Sequence, residues 1–145
     1  MSPAKEYLLQ LSNLEHQIRR LEWDIADTES RLGVRGLSYD RDKVQTSAAD
    51  PMAAVFAELD KLERREKLLI AELKRRRTRI IVQIGRLREP LATLLELRYV
   101  KCLRLDKVAE SMNYSYDHIR RLHGEALTEF EETYREEVKK WLTTR

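Results

Sequence analysis

Residues 7–32, YLLQLSNLEHQIRRLEWDIADTESRL, carry the most regular pattern in the chain. Eight positions recur at spacings of 4, 3, 4, 3, 4, 3 and 4, and they are Tyr7, Leu11, Leu14, Ile18, Leu21, Ile25, Thr28 and Leu32. Such a heptad seam is typical of a helix that wraps around another helix. We therefore predict a long first helix.

The composition favours an all-α protein with long, solvated helices. Charged side chains make up 37% of the 145 residues, against a usual share of about 25%, and there are only 4 Gly and 3 Pro. The aromatic share of 7% argues against a β-sandwich or barrel. Without a long apolar run or the apolar core of a signal peptide, and with a single cysteine, Cys102, the sequence predicts a cytoplasmic protein that does not contact membranes.

The heptad pattern ends at Gly33, which predicts a helix end with a left-handed glycine cap. Residues 33–50 have no sustained period, so we expect a loop that is mobile or binds a partner. Gly33 and Gly36 also form a GxxG pattern, which in other settings clamps a nucleic-acid backbone. The adjacent helix end explains Gly33, so the capping interpretation is favoured.

A second long helix is predicted to begin at Asp50-Pro51 and to end near Leu87. Its apolar positions keep the 3–4 spacing, and they are Val55, Leu59, Leu62, Leu69, Leu73, Ile80 and Leu87. Glu66, Arg76 and Gln83 interrupt this seam, and such polar residues fix the register of a helix pair. The simplest arrangement of residues 1–88 is an antiparallel helical hairpin closed by the 33–50 loop. The alternative is a parallel homo-oligomer through the first helix.

The positive charge is concentrated in the second helix. The net charge of the chain is +3, but residues 51–100 hold 12 basic and 7 acidic side chains. A possible auxiliary DNA-binding patch consists of Lys74, Arg75, Arg76, Arg77 and Arg79. Such a cluster can meet phosphate groups, or it can be the solvated face of a helix, and we favour the solvated face.

Residues 89–145 are expected to form a separate domain. Glu89-Pro90 breaks the second helix, and three helical stretches follow at about 90–101, 105–112 and 116–142. The turn Asn113-Tyr114-Ser115 separates the last two stretches, and Ser115 is placed to cap the third. Two short helices joined by such a turn predict a helix-turn-helix, although other helical hairpins share part of the pattern.

The side chains predicted to face DNA lie at the start of the third helix. An arginine there, such as Arg120, can donate two hydrogen bonds to a guanine, and Asp117 can accept from a cytosine amino group. Tyr116 can contact a thymine methyl group or a phosphate. We expect Tyr116, Asp117 and Arg120 to read bases. The residues expected to contact the DNA backbone are Arg121, His118, Ser115, Arg104 and Lys107.

Three segments between residues 89 and 130 carry a resemblance to a known family. Leu95–Tyr99, Val108–Ser115 and Ile119–Leu127 resemble region four of bacterial sigma-70-type factors, the helix-turn-helix that reads the −35 promoter element. The whole chain, including its 33–50 segment, resembles small phage regulators of late-gene transcription of the ArpU type. The resemblance implies a phage or prophage protein that acts in the bacterial cytoplasm at a promoter, with RNA polymerase as a possible partner.

The chain also departs from the sigma pattern. Tyr116 stands where sigma factors usually have a basic residue, and Arg104 replaces a capping Ser or Thr. Gly124 replaces a better helix former at a cost of roughly 1 kcal/mol. Since no sigma region two is present, the chain is not expected to melt a promoter.

Two other functions remain open beside the regulator of phage late transcription. One is a DNA-packaging subunit similar to small terminases, and the other is a helical protein–protein adaptor. Residues 101–145 hold 9 basic and 9 acidic side chains, so DNA binding without a partner should be weak.

No enzyme, cofactor or metal site is predicted. His118 and His123 lie five residues apart, about 140° around a helix, which does not suit a shared metal ion. His123 is expected to be packed or near a phosphate. Cys102 is expected to be a buried, inert thiol. No phosphate-binding glycine loop or nucleophile motif occurs.

Overall fold

The computed structural model describes the backbone of residues 2–42 and 51–145 and the side chains of residues 2–31 and 51–145. The described residues are helical and contain no strand, so the all-α prediction is confirmed. The helices in chain order are α1 (Pro3–Asp42), α2 (Pro51–Gly85), α3 (Leu91–Leu95) with a π-helical continuation (Glu96–Val100), α4 (Leu105–Met112), α5 (Tyr116–Thr133) and α6 (Arg135–Thr144).

The chain divides into two compact units. The first, the terminal unit, consists of Met1–Glu15 and Arg75–Arg145, and the second, the coiled-coil unit, consists of His16–Lys74. The start of α1 and the end of α2 therefore belong to the same unit as α3–α6. This division differs from the predicted boundary at residue 89.

The heptad seam of α1 is confirmed as far as its side chains are described. Tyr7, Leu11, Leu14, Ile18 and Ile25 are buried. The predicted helix end at Gly33 is wrong, because α1 continues through both glycines of the GxxG pattern to Asp42. Each added helical residue contributes a backbone hydrogen bond, which here outweighs the roughly 1 kcal/mol penalty of a glycine. The predicted loop is therefore wrong over residues 33–42, and residues 43–50 lie outside the described residues.

The predicted seam of α2 is confirmed only in part, because Leu73, Ile80 and Leu87 are buried as predicted but three other members are not. Ile70, Leu73, Ile80 and Ile84 are buried, and they are spaced by 3, 7 and 4 residues. Among the residues of the predicted seam, Val55, Leu62 and Leu69 are exposed. Two apolar stripes interleave on this helix, and both satisfy a 3–4 spacing. The sequence pattern therefore did not distinguish the buried stripe from the exposed one.

In the coiled-coil unit, ion pairs give the relative direction of α1 and α2. Lys67 Nζ lies 3.6 Å from Glu29 Oε1, and Lys74 Nζ lies 2.9 Å from Glu22 Oε1. The residue number rises on α2 as it falls on α1, which is the antiparallel order. Because these pairs are solvent-exposed, they add little to the stability of the fold. They specify direction more than they stabilise the fold.

The terminal unit is organised around the ring of Tyr7. The Tyr7 hydroxyl donates a hydrogen bond of 2.8 Å to Gln83 Oε1 at the end of α2, and both residues are buried. The ring centroid lies 5.8 Å from that of Phe130 on α5 and 5.7 Å from that of Trp141 on α6. Four helices thus meet at one side chain. Burial of the ring raises the pKa of the Tyr7 hydroxyl above its ordinary value, so it remains a donor.

The predicted continuous helix after residue 116 is interrupted at Tyr134. Its backbone leaves the helical region (φ −117°, ψ 34°) and separates α5 from α6. The Tyr134 ring packs 4.9 Å from that of Phe130 and is buried. An apolar stripe that consists of Ile119, Ala126, Phe130 and Val138 is nevertheless buried along both helices.

Tyr7→Phe should lower the free energy of unfolding by about 1–3 kcal/mol, because Gln83 Oε1 would stay buried without a donor. Urea unfolding followed by circular dichroism measures this change. The double variant Tyr7→Phe/Gln83→Leu should recover part of the loss, because both polar atoms are then removed together. Tyr134→Phe is the matched control, since it alters a buried tyrosine that contacts the same Phe130 ring. Equal losses in the two single tyrosine variants would contradict the role of the Gln83 bond.

Gly124→Ala should raise the free energy of unfolding by about 1 kcal/mol. Gly124 lies inside α5, and a Cβ atom built on it meets no atom within 4 Å. Alanine would therefore fit without strain and lose less backbone entropy on folding. The same urea experiment measures the gain. A decrease in stability would show that the helix needs glycine at this position.

Candidate nucleic-acid interface

The segment from α4 to α5 is shaped by two capping structures. Asn113 adopts the left-handed conformation (φ 60°, ψ 40°) directly after α4. Its amide donates to Glu110 O (3.3 Å), and the Tyr114 amide donates to Ala109 O (3.0 Å). This is a Schellman motif, which ends a helix and turns the chain sharply. Asparagine is one of the few residues besides glycine that adopt this conformation readily.

The start of α5 is capped by the side chain of Ser115, as predicted. Ser115 has an extended backbone, and its Oγ accepts a hydrogen bond of 3.1 Å from the His118 amide. Ile119 follows on the inner face and is fully buried, together with Val108 and Ala109 of α4. α5 packs against both α3 and α4, so the direction of its first turn is fixed by apolar contacts on two sides.

The outer face of the first turns of α5 holds the predicted base-reading residues. Tyr116 is 49% exposed, and Asp117 and Arg120 are also exposed. The Arg120 guanidinium carbon lies 5.9 Å from the centroid of the Tyr116 ring, since positions four apart are neighbours on a helix. This cation–π contact holds Arg120 on the outer face without neutralising its charge. Arg121 is exposed beside it.

The predicted backbone-contacting residues of α4 are paired with acids. Arg104 donates two hydrogen bonds to the Asp106 carboxylate, of 3.2 Å and 2.8 Å. Lys107 Nζ lies 3.4 Å from Glu110 Oε2. The Arg104 guanidinium lowers the pKa of Asp106 below its ordinary value, so this carboxylate is charged at neutral pH. A phosphate would therefore have to compete with a carboxylate for each of these cations.

A tyrosine of the turn, Tyr114, also belongs to this surface, and the sequence did not predict it as a site residue. It is exposed, and its ring contacts that of His118 edge-on with centroids 4.8 Å apart. His118 itself is half-buried. The contact orients the His118 ring. The sequence signal that could have identified Tyr114 as a site residue is its position as an aromatic residue in the turn between two helices.

The predicted auxiliary basic patch is partly engaged by carboxylates of α1. Arg77 Nε lies 2.9 Å from Glu15 Oε2 within the terminal unit, and Lys74 is paired with Glu22 in the coiled-coil unit. Arg75, Arg76 and Arg79 are exposed. Arg77 and Lys74 thus serve the pairing of α1 with α2. This arrangement favours the interpretation of the patch as a helix face.

Arg88, another basic residue of that region, links the α2–α3 connection to α5. Its Nη2 donates to Glu125 Oε1, and its Nε lies 3.1 Å from Glu129 Oε2. These carboxylates raise the pKa of the arginine further above its ordinary value. This pairing was not predicted from the sequence. Two acids four residues apart on α5 are the signal that points to it.

His123 is packed and does not lie on the exposed face of α5. Its Nε2 lies 2.8 Å from the Tyr99 hydroxyl, and the two rings stack with centroids 5.8 Å apart. Burial, with the nearby positive charges of Lys5 and Arg98, lowers the pKa of His123 to about 4. Burial also raises the pKa of Tyr99 to about 12. At neutral pH this pair is uncharged and offers no cation to a phosphate.

Cys102 is exposed, so the expectation of a buried thiol is wrong. Its backbone has a φ of 59° just after the π-helical segment, and its Sγ lies 3.7 Å from Tyr99 O. Within residues 2–42 and 51–145, His, Cys, Asp and Glu side chains form no group of three that could hold a metal ion. The helices of the same residues include none with the length and apolar character of a membrane span.

No protein-family model matches the chain, and the searches of curated proteins and of solved structures also found no match. The assignments of base-reading and backbone-contacting residues therefore stay predictions.

The melting temperature should fall as the pH decreases from about 6.5 towards 4, partly because of His123. The unfolded imidazole binds a proton below about pH 6.5, whereas the folded one does so only near 4, so acid favours unfolding in this window. Thermal unfolding of the wild type and of His123→Gln across this range measures the effect. The glutamine can still accept from Tyr99 but does not titrate, so its curve should fall less steeply. Parallel curves would show that His123 does not contribute.

Proposed function

We propose that the chain is a sequence-specific DNA-binding regulator of phage late-gene transcription, which acts at a promoter with RNA polymerase. The observation that supports this most directly is the exposed Tyr116–Arg120 pair on the first turns of α5, directly after the Ser115 cap. The apolar contacts of α5 with α3 and α4 support a rigid presentation of this pair.

In this proposal, α4, the turn and α5 form a helix-turn-helix, and the first turns of α5 enter the major groove. Arg120 donates two hydrogen bonds to guanine O6 and N7, which is worth about 1–3 kcal/mol of discrimination. Asp117 accepts from a cytosine amino group. Tyr116 contributes twice, because it contacts the groove and holds the guanidinium through its ring.

The charges around this surface explain why we propose a partner. The pairs Arg104–Asp106 and Lys107–Glu110 reduce the positive charge that α4 offers to phosphates. Because the affinity of proteins for DNA depends strongly on the number of phosphates neutralised, the chain alone should bind weakly at physiological salt. RNA polymerase, already bound to the promoter, would supply the missing affinity. This is consistent with the resemblance to sigma region four.

The proposal includes a role for the long helices. α1 and α2 form a helical hairpin, for which the antiparallel order of the ion pairs is the main support. A hairpin of this length offers a protein-binding surface that does not use α4 or α5. A packaging subunit and a helical adaptor remain possible outcomes of the test below.

The test is a selection of duplexes from a randomised DNA library with the purified chain, with and without bacterial RNA polymerase. The enriched duplex is then compared with a scrambled duplex by fluorescence anisotropy across salt concentrations. Arg120→Ala should weaken binding to the enriched duplex by about 5- to 150-fold and binding to the scrambled duplex much less. Arg135→Ala, at the exposed start of α6, is the matched control and should leave both affinities unchanged.

Three outcomes would contradict the proposal. If Arg120→Ala binds the enriched duplex like the wild type, α5 does not read bases through this residue. If no duplex is enriched even with polymerase, the chain does not bind specific DNA, and the adaptor function is favoured. If the enriched sequence occurs at a packaging site and not at promoters, the packaging function is favoured.

A further inference from the structure

An exposed apolar stripe runs along α2 in the coiled-coil unit. Val55, Leu62 and Leu69 are seven residues apart, and their side chains are 44%, 48% and 48% exposed. Positions at a spacing of seven lie almost above one another on a helix, so the three side chains form one continuous line. The line is about 21 Å long, at 1.5 Å per residue.

This stripe is separate from the seam that faces α1. The buried or half-buried positions of α2 in this unit follow spacings of 4, 3, 4, 3, 4 and 3, and they are Met52, Phe56, Leu59, Glu63, Glu66, Ile70 and Leu73. A helix in a two-stranded coiled coil needs only this a/d seam. An additional line at the neighbouring g positions is typical of a helix in a bundle, where it contacts a further helix.

The charges beside the stripe indicate what covers it. Glu58 and Arg65 follow Val55 and Leu62 by three residues, so both lie along the same side of the line. Among the described residues neither has an ionic partner, whereas the nearby Asp60, Arg64, Glu63 and Lys67 are paired. This flank therefore carries an acid before Leu62 and a base after it, and Glu72 follows Leu69 at the same spacing.

We propose that this face of α2 binds the same face of a second copy of the chain, with the two α2 helices antiparallel and a two-fold axis at Leu62. Val55 and Leu69 are equally far from Leu62, so the axis brings Leu62 onto Leu62 and Val55 onto Leu69 of the second copy. It also brings Glu58 of each copy beside Arg65 of the other copy, so this ionic pair forms twice. A two-fold contact requires such a self-complementary surface.

Charge favours the antiparallel arrangement. In a parallel pair the two-fold axis runs along the helices and places the two Glu58–Arg65 flanks on opposite sides of the contact, so the opposite charges do not meet. The antiparallel arrangement places both flanks on the same side and pairs each Glu58 with an Arg65 of the other copy. Because the face is a single helix stripe, the contact is small, and we expect a dimer with a dissociation constant in the micromolar range.

The inference is independent of the DNA-binding proposal, because the stripe lies in His16–Lys74 and does not involve α4 or α5. Its failure would leave the Arg120 test unaffected. It also differs from the homo-oligomer expected from the sequence, which used the seam of α1.

Sedimentation equilibrium over a range of protein concentrations tests the dimer. The full chain should show a monomer–dimer equilibrium, and Leu62→Glu should raise the dissociation constant at least about a hundredfold, because two carboxylates would meet at the axis. Ala57→Glu adds the same charge at an exposed position on another face and should leave the equilibrium unchanged. A wild type that is monomeric at every concentration overturns the proposal, as does a dimer that is insensitive to Leu62→Glu.

Disulfide formation tests the axis itself and does not depend on the folding of Leu62→Glu. In a Cys102→Ser background, which removes the single native cysteine, Leu62→Cys should form an interchain disulfide. Val55→Cys alone should not form one. The two copies of residue 55 would be about 21 Å apart along the helices, and a disulfide needs Cα atoms within about 7 Å. Val55→Cys mixed with Leu69→Cys should crosslink. Crosslinking of Val55→Cys by itself would indicate a parallel pair and overturn the proposed arrangement.

A charge exchange tests the ionic pairs. Glu58→Arg should weaken the dimer about tenfold, since two attractive contacts become repulsive, and adding Arg65→Glu in the same chain should restore the affinity. Restoration is expected only if the two residues meet across the axis. A double variant as weak as the single one would overturn this pairing.

Discussion

The hydrogen bond between Tyr7 and Gln83 is the contact on which the terminal unit depends. It joins the second turn of α1 to the last turn of α2, and the same ring lies against Phe130 of α5 and Trp141 of α6. A buried hydroxyl and a buried amide oxygen need each other, because each would lose its hydrogen bond to water without a replacement. The helices that carry the candidate interface therefore belong to the same unit as the start of α1 and the end of α2. They are not an independent appendage at the end of the chain.

Acidic side chains limit what the basic residues near α5 can do. Arg88 is held by Glu125 and Glu129, and Arg104 is held by Asp106, so much of the local positive charge is already balanced. Arg120 differs, because it rests against the Tyr116 ring and keeps its charge. In the proposed DNA-binding function, such a surface would distinguish base pairs through a few directed hydrogen bonds and would have little general attraction for phosphates. This imbalance between base contacts and backbone contacts is the physical reason for proposing a partner on DNA.

The features that could be predicted from the sequence are local ones. The seam of α1 and the Ser115 cap depend on residues three or four positions apart, which a linear pattern records. The Tyr7–Gln83 bond joins residues 76 positions apart, and nothing in a linear pattern links them. The helical path through Gly33 could not be predicted either, because a glycine that ends a helix and one that is tolerated inside it look alike in sequence. The exposed position of Cys102 and its positive φ could not be predicted either, because a free cysteine is most often buried.

The error in the predicted seam of α2 has a physical meaning of its own. Val55, Leu62 and Leu69 satisfy the heptad spacing as well as the buried residues do, so periodicity alone assigns them to the inner face. Only the burial of Ile70 and Leu73 shows which stripe faces α1. A helix that needed one neighbour would gain nothing from a second apolar line, because leucine on a solvated face adds no packing and favours non-specific association. Two heptad lines on one helix therefore argue for two neighbours, and only one of these neighbours is α1.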